Sequence, residues 1–139
     1  ILFLVLPSTN HIYAENKKGA LQAMTNALYE AGINIWGSVT NDGAEYGINR
    51  MVVSDPEKAK EVLTEKGYLC RFVDVLAVEI EDKPGALNTL LTALLDSNVN
   101  VDYTYLSFNR DSSTPVMILH TADPEEVEIC LKAKGFKMC

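Results

Sequence analysis

The sequence is poor in the residues that build metal, redox and catalytic centres. It has 3 cysteines, with no C-x-x-C pair, and 2 histidines, His11 and His120, that lie far apart in the chain. Zinc sites, iron–sulfur clusters and Ser/His/Asp or Cys/His catalytic groups need several such residues at characteristic spacings. The sequence therefore predicts no metal site, no cofactor and no catalytic residue. We expect a protein that is not an enzyme, in which both histidines are satisfied polar side chains.

Long apolar runs and positive charge are also scarce. No stretch approaches the ~18 apolar residues of a membrane-spanning helix. The 12 basic and 19 acidic side chains give a net charge of -7, which disfavours nucleic acid and anionic membranes as partners. The imbalance lies mainly in residues 73–139, with 11 acidic and 5 basic side chains, against 8 and 7 in residues 1–72. The odd cysteine count without a disulfide framework fits a reduced cytoplasm.

One short motif occurs twice. The sequence Asn16–Leu21 (NKKGAL) returns as Asp82–Leu87 (DKPGAL), Asn34 matches Asn100, and the register continues to a glycine near the end of each half. The repeat of 66 to 68 residues predicts two domains, residues 1–72 and 73–139, with residues 1–8 as an extra strand or a remnant foreign to the natural protein. Because a unit this small buries little surface, we expect the copies to pair.

Each half predicts the element order β-α-β-β-α-β. Apolar residues spaced by three and four form the first helices, which Gly32 and Asn98 end, and Asp-Pro pairs at 55–56 and 123–124 start the second helices. The runs Ile33–Thr40 and Val99–Phe108 are β-branched and aromatic, which is typical of strands. The fold class is α+β, with two ferredoxin-like repeats whose antiparallel sheets carry both helices on one face.

The repeated loop lies where the first strand turns into the first helix. First-turn N–H groups and the helix dipole attract an anion there, and Gly19 and Gly85 have no Cβ to keep a ligand carboxylate from the main chain. Pro84 stiffens the second loop. We expect the start of the second strand, with Asn100 and Asp102, to lie directly beside this loop and to hold an ammonium group. A carboxylate and an ammonium together describe a free α-amino acid.

These motifs resemble the ACT domain, a small-molecule-sensing module of amino-acid metabolism, over nearly the whole chain. The resemblance implies a non-enzymatic, allosteric regulatory protein that binds a small ligand between the helix-one loop of one module and the second-strand region of its neighbour. It also implies a homo-oligomer such as a dimer, and a target enzyme or transporter. The implied ligand-binding residues are Asn16, Gly19, Ala20, Leu21, Asn34, Ile35, Asp82, Pro84, Gly85, Ala86, Leu87, Asn100, Val101 and Asp102.

Other interpretations of the same residues remain open. The glycines could serve only the turns, the asparagines could cap helices, and Asp102, with Tyr103 and Tyr105, could form an ordinary sheet surface. At the position of Asp102 the first copy has Trp36, which we expect to pack at an interface. The alternatives for function are an interaction-only ferredoxin-like module and a small acylphosphatase-like enzyme. The second would need an arginine in a loop that has none.

Overall fold

The computed structural model describes residues 9–15, 18–42 and 46–139, and the side chains within 18–41 and 47–139. The described residues fall into two compact units, the first ending at Val73 and the second containing Asp74–Cys139. The extra strand expected within residues 1–8 lies outside the described residues. No helix of the described part of the chain is long and apolar enough to cross a membrane.

The first unit has the predicted order β-α-β-β-α-β. Its strands form an antiparallel sheet in the order β2-β3-β1-β4. A register irregularity lies between Ile35 and Gly37, which places Trp36 at a bulge in the first paired stretch of β2. The elements are β1 (Thr9–Glu15), α1 (Ala20–Glu30), β2 (Ile35–Asp42), β3 (Tyr46–Val53), α2 (Pro56–Glu65) and β4 (Leu69–Val73).

The second unit repeats this topology, with an antiparallel sheet in the order β6-β7-β5-β8. The elements are β5 (Leu76–Glu79), α3 (Ala86–Asp96), β6 (Tyr103–Phe108), β7 (Pro115–His120), α4 (Pro124–Ala133) and β8 (Lys137–Met138). The predicted strand at Val99–Phe108 is shorter than expected, because regular pairing begins only at Tyr103. Asp102 nevertheless donates its backbone N–H to the carbonyl of His120 at 2.9 Å.

The helix boundaries follow the residues that predicted them. Asp55 and Asp123 each accept a hydrogen bond of 3.1 Å from a backbone N–H three residues later, which caps α2 and α4. Gly32, at φ 72°, and Asn98, at φ 56°, adopt the left-handed conformation just after α1 and α3. The predictions for both helix starts and both helix ends are confirmed.

Each unit has one core, built by both helices and the sheet. In the second unit, buried Leu90 and Leu94 of α3 and Leu131 of α4 pack with Leu76 of β5 and Leu119 of β7. Burying one such side chain contributes about 1.5–3 kcal/mol. In the first unit the corresponding cluster is Met24, Ala27, Leu28, Ile33, Met51, Val53, Ala59, Leu63 and Cys70. Both helices contribute to the same cluster, so they cover one sheet face, and the α+β prediction is confirmed.

Candidate functional site

The backbone conformation of the loop before α3 is the first reason for its glycine. Gly85 is the N-cap of α3 at φ 86°, and Gly19 holds the matching position before α1 at φ 84°. A Cβ at either position would meet no heavy atom within 4 Å. The left-handed backbone therefore suffices to explain both glycines. The glycines are therefore compatible both with a role in the turn alone and with a role in ligand binding.

The four helices in the described part of the chain differ in how their N-termini are satisfied. The N-caps of α1 and α3 are glycines, so no side chain accepts from the first turn, and neither helix has an acidic residue there. By contrast α2 and α4 each have an aspartate cap and at least one glutamate in the first turn. The positive ends of α1 and α3 thus lack the carboxylates that satisfy α2 and α4.

A cavity of about 420 Å³ adjoins the first turn of α3, and we call it the loop cavity. Ala86 and Thr89 of α3 line it together with Lys83 of the loop. Lys83 forms an exposed ion pair with Glu81. The remaining walls come from the second unit's β5, the turn before β7 and the segment leading into β8, namely Glu79, Ile80, Glu81, Thr114, Gly135, Phe136 and Lys137.

Glu79 is a largely buried carboxylate in the wall of the loop cavity. Asn109 donates to its Oε1 at 2.5 Å, and Lys137 Nζ lies 3.0 Å from its Oε2. Burial raises the pKa of Glu79, but hydrogen bonds from Lys137, Asn109 and Cys139 outweigh burial and hold it below its ordinary value. Glu79 therefore stays ionised and is already paired. The cation of this cavity nearest to the α3 N-terminus in sequence is Lys83, which is paired with Glu81.

The strand-start residues lie in a different place. Asn100 and Asp102 line a second cavity, of about 490 Å³, which has no lining residue in common with the loop cavity. Asn100 Nδ2 donates to Asp102 Oδ1 at 3.2 Å, and His120 Nδ1 lies 2.8 Å from Asp102 Oδ2. The His120 ring stacks on Tyr103 with centroids 5.0 Å apart and planes 6° apart. The prediction that His120 is a satisfied polar side chain is confirmed, whereas the His11 side chain lies outside the described residues.

Within one unit the loop and the strand start are not neighbours, so the expectation that they lie directly side by side is wrong. The 11 residues of α3 separate them. At a rise of 1.5 Å per residue the helix is roughly 16 Å long. The loop precedes the first turn of α3, and the strand start follows the last. A ligand small enough to be an amino acid cannot reach both from a single module.

The other predicted site residues of the second unit divide into two groups. Asp82, Pro84 and Gly85 are exposed, and Leu87 is 38% exposed. The Val101 side chain instead packs against the core of the second unit. A contact between Val101 and a ligand would therefore have to use the backbone.

In the first unit the predicted residues are arranged in the same way. Gly19 is exposed, Ala20 is half-buried, and Leu21 is 45% exposed, while Asn16 lies outside the described residues. Ile35 packs against the core. These residues remain predicted ligand contacts.

The Asn34 backbone is hydrogen-bonded to Ser54, the residue that follows β3. Its backbone N–H donates to Ser54 Oγ at 2.9 Å, and its carbonyl accepts from the Ser54 N–H, also at 2.9 Å. These bonds satisfy the Asn34 backbone without a ligand. They leave its exposed side chain as the part that a ligand could contact.

His120 is the polar neighbour of Asp102 that the sequence did not point to, because 18 residues separate them. The register of the β6–β7 hairpin would have been the signal, since it pairs Tyr103 with His120. No group of three or more His, Cys, Asp or Glu side chains in the described ranges is placed to hold a metal ion.

Comparison with known proteins identifies the architecture. The family model described as "ACT domain pair" matches residues 8–136. No match is found among curated proteins. The structure is similar to protein BT0572 from Bacteroides thetaiotaomicron, with a TM-score of 0.87 and 27% identity, over 96% of this chain and 92% of that one.

Two regulatory subunits of aspartate kinase have the same fold. The subunit from Thermus thermophilus, in its ligand-free form, has a TM-score of 0.64 and 16% identity, over 93% of this chain and 92% of that one. The subunit from Thermus flavus has a TM-score of 0.61 and 18% identity, over 91% of this chain and 90% of that one. The family model covers both units, so the chain belongs to the ACT domain pair family.

Proposed function

We propose that this protein is a non-enzymatic sensor that binds a free α-amino acid at an interface between ACT modules. ACT domains are regulatory modules that bind small molecules, and the family therefore supports a regulatory role. One observation carries the amino-acid ligand. Among the described residues, two of the four helices begin without a carboxylate cap, and these two follow the repeated loop.

The ligand carboxylate is assigned to the first turn of α3. An anion at a helix N-terminus gains about 0.3–1 kcal/mol when exposed and up to about 2 kcal/mol when partly buried. Lys83 lines the same cavity and would exchange its exposed ion pair with Glu81 for the ligand carboxylate. No side-chain cap competes for the first-turn N–H groups of α3. The loop cavity of about 420 Å³ is also within the usual size range of small-molecule sites.

The ligand ammonium is assigned to a strand start such as Asn100–Asp102, whose oxygens can accept its hydrogen bonds. Because α3 separates loop and strand start within one module, this half of the site has to come from a neighbouring module. That neighbour is the other unit of the chain or a unit of a second chain. A site built in this way requires pairing of modules, which favours a homodimer.

Binding would join two modules through one ligand and so favour one arrangement of the pair. A ligand shifts such an equilibrium by its difference in affinity for the two states. The regulatory output would be a change in self-association or in contact with a target enzyme or transporter. The three cysteines, Cys70, Cys130 and Cys139, are free thiols, which suits a cytoplasmic location.

Substitution of Ala86 by aspartate tests the site without removing a packed side chain. A carboxylate in the first turn of α3 should repel the ligand carboxylate while stabilising the helix by about 0.3–1 kcal/mol. The matched variant is Ala20→Asp in the first turn of α1. Calorimetric titration with the amino acid that best stabilises the native chain should show loss of binding in Ala86→Asp. Equal affinity in Ala86→Asp, Ala20→Asp and the native chain would place the ligand elsewhere.

An interaction-only module is the second candidate, favoured by the exposed face of α3. Leu87, Leu91 and Leu95 lie four residues apart and are 38%, 38% and 76% exposed. Apolar residues at this spacing form one stripe on a helix. If the protein is an interaction-only module, no amino acid should bind to it. Leu95→Glu should then abolish the association of the protein with its partner.

A further inference from the structure

The charged side chains that line the loop cavity are paired with one another. Glu79 accepts a hydrogen bond from Asn109 and forms an ion pair with Lys137 at 3.0 Å. Glu81 forms an ion pair with Lys83. Two carboxylates and two ammonium groups therefore face the cavity in matched pairs, and the formal charge of these lining residues is zero. A charged ligand side chain meets no net charge of opposite sign there.

The two hydroxyls of the same wall are also hydrogen-bonded within the chain. Thr89 Oγ1 donates to the carbonyl of Gly85 at 3.0 Å, and Thr114 Oγ1 lies 2.7 Å from Ser112 Oγ. A polar ligand side chain would therefore exchange an existing hydrogen bond for a new one. Such an exchange contributes little to affinity, because the wall group is satisfied before the ligand arrives.

The remainder of the wall is apolar. Ile80 and Phe136 are half-buried and pack against the core of the second unit, and Ala86 is half-buried in the first turn of α3. Carbon atoms make up more of the exposed wall than nitrogen and oxygen atoms do. Covering this surface with an apolar group is favourable, because it removes apolar area from water.

The first unit has different residues at these positions. The repeat places Ala14 at the position of Ile80 and Tyr68 at the position of Phe136. A smaller side chain and a phenol thus replace the two largest apolar residues of the wall. The apolar wall is a feature of the second unit, whose loop also has Pro84.

From these observations we infer that the loop cavity selects an amino acid with an apolar side chain. The inference rests on the proposed function, in which the ligand carboxylate lies at α3 and the ammonium at a neighbouring module. The ligand side chain is then the part left to lie against Ile80 and Phe136. If Lys83 turns to the ligand carboxylate, it frees Glu81, but Glu81 is 70% exposed and stays solvated. Glu81 therefore adds little affinity for a cationic side chain.

The test is a calorimetric titration of the full chain with alanine, 2-aminobutyrate and norvaline, in which each ligand has one methylene more than the one before. Affinity should rise by up to about fourfold for each added methylene. Two pairs of equal shape extend the series. Valine should bind roughly tenfold to a hundredfold more tightly than threonine, and leucine more tightly than asparagine. Equal or tighter binding of threonine and asparagine would overturn the inference.

Variants that copy the first unit test the wall itself. Ile80→Ala should reduce the preference for norvaline over alanine, and Phe136→Tyr should reduce the preference for valine over threonine. Met138→Ala is the matched control, because Met138 packs against the same core without lining the cavity. It should lower stability and leave both preferences unchanged. Ile80→Val, with a smaller effect in the same direction, replaces Ile80→Ala if that variant does not fold. Equal changes in Ile80→Ala and Met138→Ala would overturn the inference.

The outcomes separate this inference from the proposed function. Tightest binding of a polar or charged amino acid, lost in Ala86→Asp, would support the proposed function and overturn the apolar class. If neither polar nor apolar amino acids bind, the proposed function is contradicted together with this inference. Tightest binding of an apolar amino acid, lost in Ala86→Asp and weakened in Ile80→Ala, is the result that both predict.

Discussion

The imidazole of His120 is paired with the carboxylate of Asp102, with Nδ1 2.8 Å from Oδ2. The two residues come from β7 and from the segment just before β6. The histidine ring also stacks on Tyr103. The pair therefore fixes the carboxylate that is the strongest candidate for holding a ligand ammonium, and a strand rather than a loop supplies the support.

A double-mutant cycle on Asp102 and His120 should give a small coupling energy. Both side chains are partly exposed, at 45% and 26%, and such pairs contribute about 0.2–1 kcal/mol. Urea unfolding of Asp102→Asn, His120→Gln and the double variant measures it. The cycle of His120 with Tyr103 should give a coupling of similar size, from stacking. A coupling near zero in both cycles would mean that Asp102 is not held as described.

The aspartate caps of α2 and α4 should contribute equally to the free energy of unfolding. Asp55→Ala and Asp123→Ala should each lower the free energy of unfolding by about 1 kcal/mol, because each removes the acceptor of a first-turn N–H. Asp111→Ala is the control, since the contact described for Asp111 uses its backbone N–H. Chemical denaturation checks this prediction, and a cap variant no different from Asp111→Ala would contradict it.

Backbone strain, and not a clash, should set the effect of replacing Gly85. Gly85→Ala should cost about 1–2 kcal/mol, because alanine at φ 86° is unfavourable while its Cβ meets no heavy atom within 4 Å. Asn98 provides the converse test, because it is a residue other than glycine that already adopts a positive φ, of 56°. Asn98→Gly should be nearly neutral and Asn98→Ala should destabilise. Urea midpoints measure all three, and a loss well above 3 kcal/mol for Gly85→Ala would point to steric conflict.

The Cys139 thiol should react slowly in alkaline solution. Burial, followed by the negative charge of Glu79, raises the pKa of Cys139 from 9.0 to about 11. Because the folded-state pKa is the higher one, the stability that this thiol contributes is present below pH 9 and is lost as the pH rises toward 11.

Glu79→Gln should lower the pH midpoint of Cys139 alkylation by iodoacetamide, measured by mass spectrometry, since it removes a negative charge. Glu81→Gln, which changes an exposed carboxylate of the same wall, is the matched control. An unchanged midpoint in Glu79→Gln would show that burial alone sets the pKa.

The elements that could be predicted from the sequence are those set by local chemistry. Asp55 and Asp123 before proline located two helix starts, and Gly32 and Asn98 located two helix ends, because each acts on its own few residues. The repeat then gave the topology, since matching motifs predict matching units.

Features that depend on how distant segments meet could not be predicted in the same way. The loop at Gly85 and the strand start at Asp102 were expected side by side, but they lie beyond opposite ends of α3, and only the direction of the helix decides this. The pairing of His120 with Asp102 depends on the hairpin register, which a single residue of slip would change.

The most direct test of the amino-acid sensor is a melting series of the unaltered chain with each of the twenty amino acids. A ligand present at about a hundred times its dissociation constant should stabilise the native state by about 2.7 kcal/mol. The proposal predicts that at least one amino acid raises the melting temperature clearly and that Ala86→Asp removes the rise. If no amino acid raises the melting temperature, the central claim is contradicted.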